Sequence, residues 1–230
     1  MWCVSVHKDK LLAVLFLVGI VWGMAQANFN ESVEVFSMPV SRKVVLIDPG
    51  HGAFDPGKVA DTILEKDINL AIALKLQAYL EIGGATVLMT RIDDEALSQS
   101  KAGDMHQRKQ IANASQADIF VSIHQNSFRS PNVRGAQVFY FDTSDNSRKL
   151  AEHIQHQLKA FVDPNNRLQS KPNENYYVLR QTRMPAVIVE CGFLTNYYER
   201  GLLTQEAYQE RIAWAIYLGI VDYFNAMPEA

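Results

Sequence analysis

Three short runs of aliphatic and β-branched residues each lead into a side chain that can bind a metal or carry a proton. Val44-Val45-Leu46-Ile47 runs into Asp48-Pro49-Gly50-His51, Ile119-Phe120-Val121-Ser122-Ile123 into His124, and Ala186-Val187-Ile188-Val189 into Glu190. Near-continuous apolar runs of this length are the pattern of strands covered on both faces, as in a parallel sheet. Open α/β sheets place their chemistry beyond the carboxyl ends of neighbouring strands. The chain is therefore expected to gather His51, His124 and Glu190 at one end of a sheet, joined by Glu65 from the first turn of the helix that follows His51.

The intervening segments support that architecture. Ile68, Ala71, Ile72, Leu76, Tyr79 and Leu80 recur at intervals of three and four, and Gly83-Gly84 stops the pattern, which predicts a helix over 66–81. Strands are predicted over 43–47, 85–90, 119–123, 136–141 and 186–189, with a short one over 176–179. Further helices are predicted over 106–114, 147–161 and 205–224. Alternating strands and helices imply an α/β fold, a single three-layer domain with a central, mostly parallel sheet and helices on both faces. At 230 residues the chain can build one substantial core and is short for two.

The amino terminus reads differently. Lys8 and Lys10 precede an apolar run over 11–25 that ends in Ala25-Gln26-Ala27, the layout of an export signal with a small-residue cleavage site. Residues 1–27 are read as a signal peptide cleaved after Ala27, or alternatively as an uncleaved membrane anchor through 11–25, and 28–42 as a polar linker. Both readings put the remainder outside the cytoplasm. Cys3 falls in the export segment, which leaves Cys191 alone and excludes a disulfide framework. A formal charge of −3 without a basic stripe excludes a nucleic-acid partner.

Two histidines and a glutamate are a standard catalytic zinc set, with a fourth position kept for water. Gly50 and Gly52 remove bulk beside His51, and Glu65 sits where a helix dipole favours a carboxylate. A fourth protein ligand would close the site, so Glu190 suits a general base better than a ligand. Taken singly, each residue has a plainer reading. A histidine after a strand is more often a hydrogen-bonded structural residue, Asp48-Pro49-Gly50 is a turn, and Glu190 could be a buried, ion-paired carboxylate. The case for a metal site is the conjunction.

The motifs Val45-Leu46-Ile47-Asp48-Pro49-Gly50-His51-Gly52, Leu64-Glu65-Lys66-Asp67, Ala117-Asp118-Ile119-Phe120-Val121-Ser122-Ile123-His124-Gln125-Asn126 and Pro185-Ala186-Val187-Ile188-Val189-Glu190-Cys191-Gly192-Phe193-Leu194-Thr195-Asn196 resemble the zinc-dependent N-acetylmuramoyl-L-alanine amidases of the Amidase_3 family. The resemblance runs from about 43 to 224. It implies a catalytic domain over 43–226, one Zn2+ on His51, Glu65 and His124, and Glu190 as the catalytic glutamate. The substrate it implies is peptidoglycan, cut between N-acetylmuramic acid and L-alanine. Within the family the chain looks nearest to sporulation members that prepare muramic δ-lactam in spore cortex; the vegetative wall is the other setting. A lipoprotein activator is a partner known for some of these. Ala53 stands where the family usually has a second glycine, Cys191 where threonine or valine is frequent, and there is no room between Glu65 and His124 for an autoinhibitory helical insertion.

Asn126 and Arg180 are read as lining the cleft. His153 and His156 on a polar helix face, His106 in a polar loop, and Cys191 as a thiol nucleophile are set aside. Two alternatives stay open: a zinc peptidase cutting within the stem peptide, and a catalytically silent wall-binding protein. Retention of all four residues speaks against the second.

Overall fold

The computed structural model describes residues 38–227, together with 15–19 and 22. The chain divides into two units, Met1–Ser37 and Met38–Ala230. In the first, residues 15–19 and 22 are helical, and no described helix is long and apolar enough to cross a membrane. Apart from 15–19 and 22, the export segment read over 1–27 lies outside the described residues, as does the linker read over 28–42 as far as residue 37. Val40, from the end of that linker, is fully buried in the core of the second unit.

In chain order the second unit runs β1 (Val44–Pro49), β2 (Val59–Ala60), β3 (Ile63–Leu64), α1 (Glu65–Ile82), β4 (Thr86–Met89), α2 (Lys101–Ala114), β5 (Ile119–Asn126) and β6 (Gln137–Tyr140). It continues with α3 (Asp145–Phe161), β7 (Lys171–Pro172), α4 (Tyr177–Gln181), β8 (Ala186–Phe193), α5 (Tyr197–Leu203) and α6 (Glu206–Ala226). Six strands form one sheet in the order β4-β1-β5-β8-β6-β7. β4, β1, β5 and β8 are mutually parallel, and β6 pairs antiparallel with β8. The chain leaves β1 for β4 on one side and returns to β5 on the other, so the connections reverse between β1 and β5. A crevice at the carboxyl ends of those strands follows from that reversal.

Strand periodicity sorts the two faces. Val45, Ile47, Val121, Ile123, Val187 and Val189 pack into a large cluster with Ile72 of α1, Ile154 of α3 and Ile216 of α6. Leu46, Phe120 and Ile188 pack the other way, against Ala112 of α2 and Val178 and Leu179 of α4. That second layer is thinner, and by the same alternation it is the side to which Asp48, Ser122, His124 and Glu190 belong. The three-layer α/β expectation thus holds, with the site at the end of the thin layer.

The helices of the thick layer meet closely. A Cβ placed on Gly219 of α6 would lie 2.5 Å from Ile154 Cα and 2.8 Å from its nitrogen, both backbone atoms of α3. Gly219→Ala must therefore push two helices apart, and it is expected to lower stability by about 1–3 kcal/mol. Chemical denaturation checks this; an unchanged midpoint would contradict the close crossing.

Several local expectations differ from the structure. The strand predicted over 176–179 is the helical turn α4: the Asn173 side chain accepts from the Asn175 and Tyr176 N–H groups at 2.8 and 3.2 Å, turning the chain off the sheet, while β7 takes the edge. α2 begins at Lys101 instead of 106, because Ser100 caps it by accepting from Gly103 N at 3.1 Å. His106 is consequently an exposed helical residue and not part of a loop. The unpredicted α5 is capped by Asn196, whose side chain accepts from Glu199 N at 3.0 Å. Gln155, on the helix that also carries His153 and His156, is buried; its side-chain oxygen accepts from Val138 N and its side-chain nitrogen donates to Ala136 O.

Candidate active site

The turn that carries His51 is held from beneath by buried charge. Asp48 at the end of β1 accepts from Ser122 Oγ and Thr90 Oγ1, both at 2.6 Å, and pairs with Arg108 of α2 at 2.5 Å. Arg108 also donates to the carbonyls of Pro49 and His51 at 2.9 and 2.7 Å. Arg91 donates to the carbonyls of Pro49 and Gly50 at 2.9 and 3.1 Å. Two guanidinium groups thus bind three consecutive carbonyls. They hold His51 at φ 63°, a left-handed conformation costly for a non-glycine residue. Ala53, at φ 45°, sits in the same region, which explains why glycine suits that position better.

Burial by itself would raise the Asp48 pKa, but Arg108 and the two hydroxyls outweigh it and hold the carboxyl below its ordinary range. A depressed folded-state pKa stabilises the fold above the unfolded carboxylate value, and that contribution is lost as pH falls through the folded one. Asp48→Asn is expected to cost about 3 kcal/mol at neutral pH, since it leaves a buried guanidinium short of a partner. The difference from wild type should shrink progressively below about pH 4 in denaturation midpoints measured against pH. A gap independent of pH would contradict the ion-pair account.

Above this clamp three donors converge. Glu65, the first residue of α1, lies with its Oε1 2.9 Å from His124 Nδ1 and 3.2 Å from His51 Nε2. The ligand atoms of His51, Glu65 and His124 all lie within 4.8 Å of one another. Asp55 accepts from His51 Nδ1 at 2.8 Å and so turns Nε2 inward, the carboxylate support that metal-binding imidazoles usually have. Glycine is required where the rings come close: a Cβ on Gly50 would stand 2.2 Å from the His124 ring, and one on Gly57 2.6 Å from both Glu65 Oε2 and His51 Cδ2. Two imidazoles and a carboxylate in a pocket shaped around them fit a borderline divalent ion such as zinc.

Glu190 lies beside His124 in the register of β5 and β8. Its Oε1 accepts from the Tyr176 hydroxyl at 3.2 Å, while its Oε2 is buried with no hydrogen-bond partner among the described residues. The environments of the two glutamates push them apart. Burial, with the Glu65 charge adding to it, lifts the Glu190 carboxyl to about 7. Glu65 is also buried, but the His124 and His51 rings hold it well below the usual carboxylate range. One carboxylate stays ionised as a donor atom, and the other is poised to exchange a proton. A cavity of about 490 Å³ opens over all four residues.

A family model for N-acetylmuramoyl-L-alanine amidase (Amidase_3) matches residues 45–222, the span of the sheet and the site. The chain belongs to the N-acetylmuramoyl-L-alanine amidase family. It is similar along almost its whole length to the germination-specific N-acetylmuramoyl-L-alanine amidase of Bacillus subtilis, 35% identical over 230 residues, 95% of this chain and 97% of that one. Among solved structures it is similar to the CwlD amidase of Clostridioides difficile in complex with the GerS lipoprotein, at 42% identity and a TM-score of 0.79 over 81% of this chain and 100% of that one. A second N-acetylmuramoyl-L-alanine amidase, from Clostridium difficile 630, matches at 34% identity and a TM-score of 0.74 over 82% of this chain and 100% of that one. The protein is thus an amide hydrolase of this family.

In this amidase His51, Glu65, His124 and Glu190 come together as the sequence suggested. Asn126 ends β5 and lines the cavity. Arg180, on α4, has an exposed side chain and is not one of the lining residues. His156 is exposed on α3. Cys191 is fully buried and its thiol is pushed up by that burial, which removes it as a nucleophile. Asp55, Arg91, Arg108 and Tyr176 complete the site without having been singled out for it. The one signal pointing to Asp48 and its partners is an ionisable residue on the same face as Leu46 in a strand otherwise apolar.

Proposed function

We infer that this amidase holds one zinc ion on His51, Glu65 and His124. With it the protein hydrolyses the amide between the lactyl group of N-acetylmuramic acid and the L-alanine of the peptidoglycan stem peptide, outside the cytoplasm. The observation that carries the reading is a coincidence in space: the three donors converge within 4.8 Å, and Glu190, whose buried Oε2 has no partner among the described residues, lines the same cavity. Zinc held by these three residues would supply Lewis acidity toward the scissile carbonyl and make water nucleophilic near neutral pH.

The proton movements fall to Glu190. Its Oε2 takes a proton from the attacking water and returns it to the departing alanine nitrogen. Burial raises this carboxyl and a divalent cation beside it would lower it again, so the group can both accept and return a proton near neutral pH. Tyr176 holds Oε1 and leaves Oε2 for the water, while Asp55 fixes the His51 ring. The clamp of Arg91 and Arg108 keeps His51 in its strained conformation throughout.

The likeness to a germination-specific amidase and to a CwlD amidase solved with a lipoprotein supports spore cortex as the substrate and a lipoprotein as partner. Mass spectrometry of muropeptides, after incubation of the purified protein with cortex and with vegetative peptidoglycan, tests bond and setting together. Intact stem peptides beginning with L-alanine, released preferentially from cortex, are expected. Shortened stems left on the glycan would identify a peptidase and refute the assignment of the bond; equal release from both walls would refute the cortex preference.

A further inference from the structure

A second cavity, of about 610 Å³, opens beside the catalytic one and is lined by Lys58, Ser127, Phe128, Arg129 and Thr195. Ser127 lines both. Lys58 is tied to the catalytic centre through its backbone, whose N–H donates to Glu65 Oε2 at 2.7 Å. Phe128 and Arg129 lie on the loop leaving β5, which is pinned to the segment after β8 because Phe128 N donates to Thr195 Oγ1 at 3.1 Å. The wall of this cavity is therefore preformed and continuous with the residues that hold the reacting groups.

Charge is disposed differently in the two cavities. The cations of the catalytic cavity are already used: Lys101 pairs with Asp55 at 2.7 Å and Arg108 with Asp48 at 2.5 Å. The second cavity has two cations, an aromatic ring and two hydroxyls, and no acidic side chain. No ion pair among the described residues involves Lys58 or Arg129. Two cations that share a cavity without an anion repel each other, and an anion bound between them relieves that repulsion.

We propose that this cavity receives the peptide side of the scissile amide, with Lys58 and Arg129 binding a free carboxylate of the stem peptide. The proposal rests on the amidase reading above. The chemistry of the substrate's two halves decides which half belongs here. The muramoyl side offers hydroxyls, ether oxygens and acetamides, its lactyl carboxyl being consumed in the amide. The peptide side carries free carboxylates beyond the alanine. Arg129 supplies a planar donor fork and Lys58 a point charge, Ser127 and Thr195 suit peptide amide groups, and the open Phe128 ring suits aliphatic carbons.

The test is a calorimetric titration of the intact, zinc-loaded protein with the free stem tripeptide, set beside the same tripeptide with its carboxylates amidated. The acidic peptide is expected to bind at least about tenfold more tightly, the effect of one charge-assisted hydrogen bond. The Lys58→Ala/Arg129→Ala double variant should bind the two peptides equally, with unchanged zinc content and thermal midpoint. Equal binding of both peptides by the wild type, or a preference that persists in the double variant, would overturn the proposal. Inorganic phosphate is the third probe. If the double variant loses phosphate binding while keeping the acidic peptide, the site belongs to a phosphate-bearing wall polymer and the peptide assignment is wrong. The readout needs no turnover. A protein that binds the acidic peptide but releases no alanine-ended stems refutes the amidase reading alone. One that cleaves acidic and amidated muramoyl peptides with equal kcat/KM refutes the subsite alone.

Discussion

Glu190→Gln is expected to keep its zinc and its fold and to lose turnover by about 10²–10⁴-fold, the usual worth of a positioned general base. The replacement conserves shape in a fully packed strand, and the Tyr176 hydroxyl can still donate to the amide oxygen. What disappears is the acceptor at Oε2, the buried atom left without a partner among the described residues. The loss should fall on kcat, with KM little changed, because the proton is transferred only on the way through the transition state. Metal analysis of the same sample separates base from ligand: a variant that loses zinc in step with activity would make Glu190 a fourth ligand. Turnover within a few-fold of wild type would refute the base role outright.

His124→Ala is expected to lose metal and hydrolysis together. The ring is one of the three groups whose ligand atoms converge within 4.8 Å, and it packs directly against Gly50. Asp55→Asn provides the graded comparison. Asp55 touches His51 at Nδ1 and not at Nε2, the nitrogen that faces Glu65, and support of that kind is worth about 10–100-fold in metal affinity. Zinc competition against a chromophoric chelator should rank wild type above Asp55→Asn above His124→Ala. Raising the zinc concentration should restore activity to Asp55→Asn and not to His124→Ala. Equal affinity in wild type and His124→Ala would remove His124 from the metal site.

The four central residues are legible in the sequence because each follows a pattern that physics keeps short-range. His51, His124 and Glu190 end apolar runs, and strand ends meet when the runs lie side by side; Glu65 opens a helix whose periodicity is plain. The sheet and its thick helical layer are legible for the same reason. The groups that hold the site in place are not. Arg91 and Arg108 reach back across 42 and 59 positions to bind the Pro49 carbonyl, and no spacing rule connects such pairs. Tyr176 belongs to a stretch of aromatic and β-branched residues that reads as a strand until the side chain of Asn173 bends it into α4. The early start of α2 was hidden by Gly103 in a polar segment, although Ser100 three residues before it is a capping signal. Asn196 followed by Glu199 carries the same kind of signal for α5.

The central claim is that three donors hold one catalytic zinc and that the bond cut is the muramoyl-alanine amide. Its most direct test is to strip the purified protein with a chelator and titrate zinc back while counting new alanine amino termini released from peptidoglycan. The account predicts no release without metal and a rise in rate that saturates at one zinc per chain. Full activity in the stripped protein, saturation only at two ions per chain, or new amino termini other than alanine would contradict it.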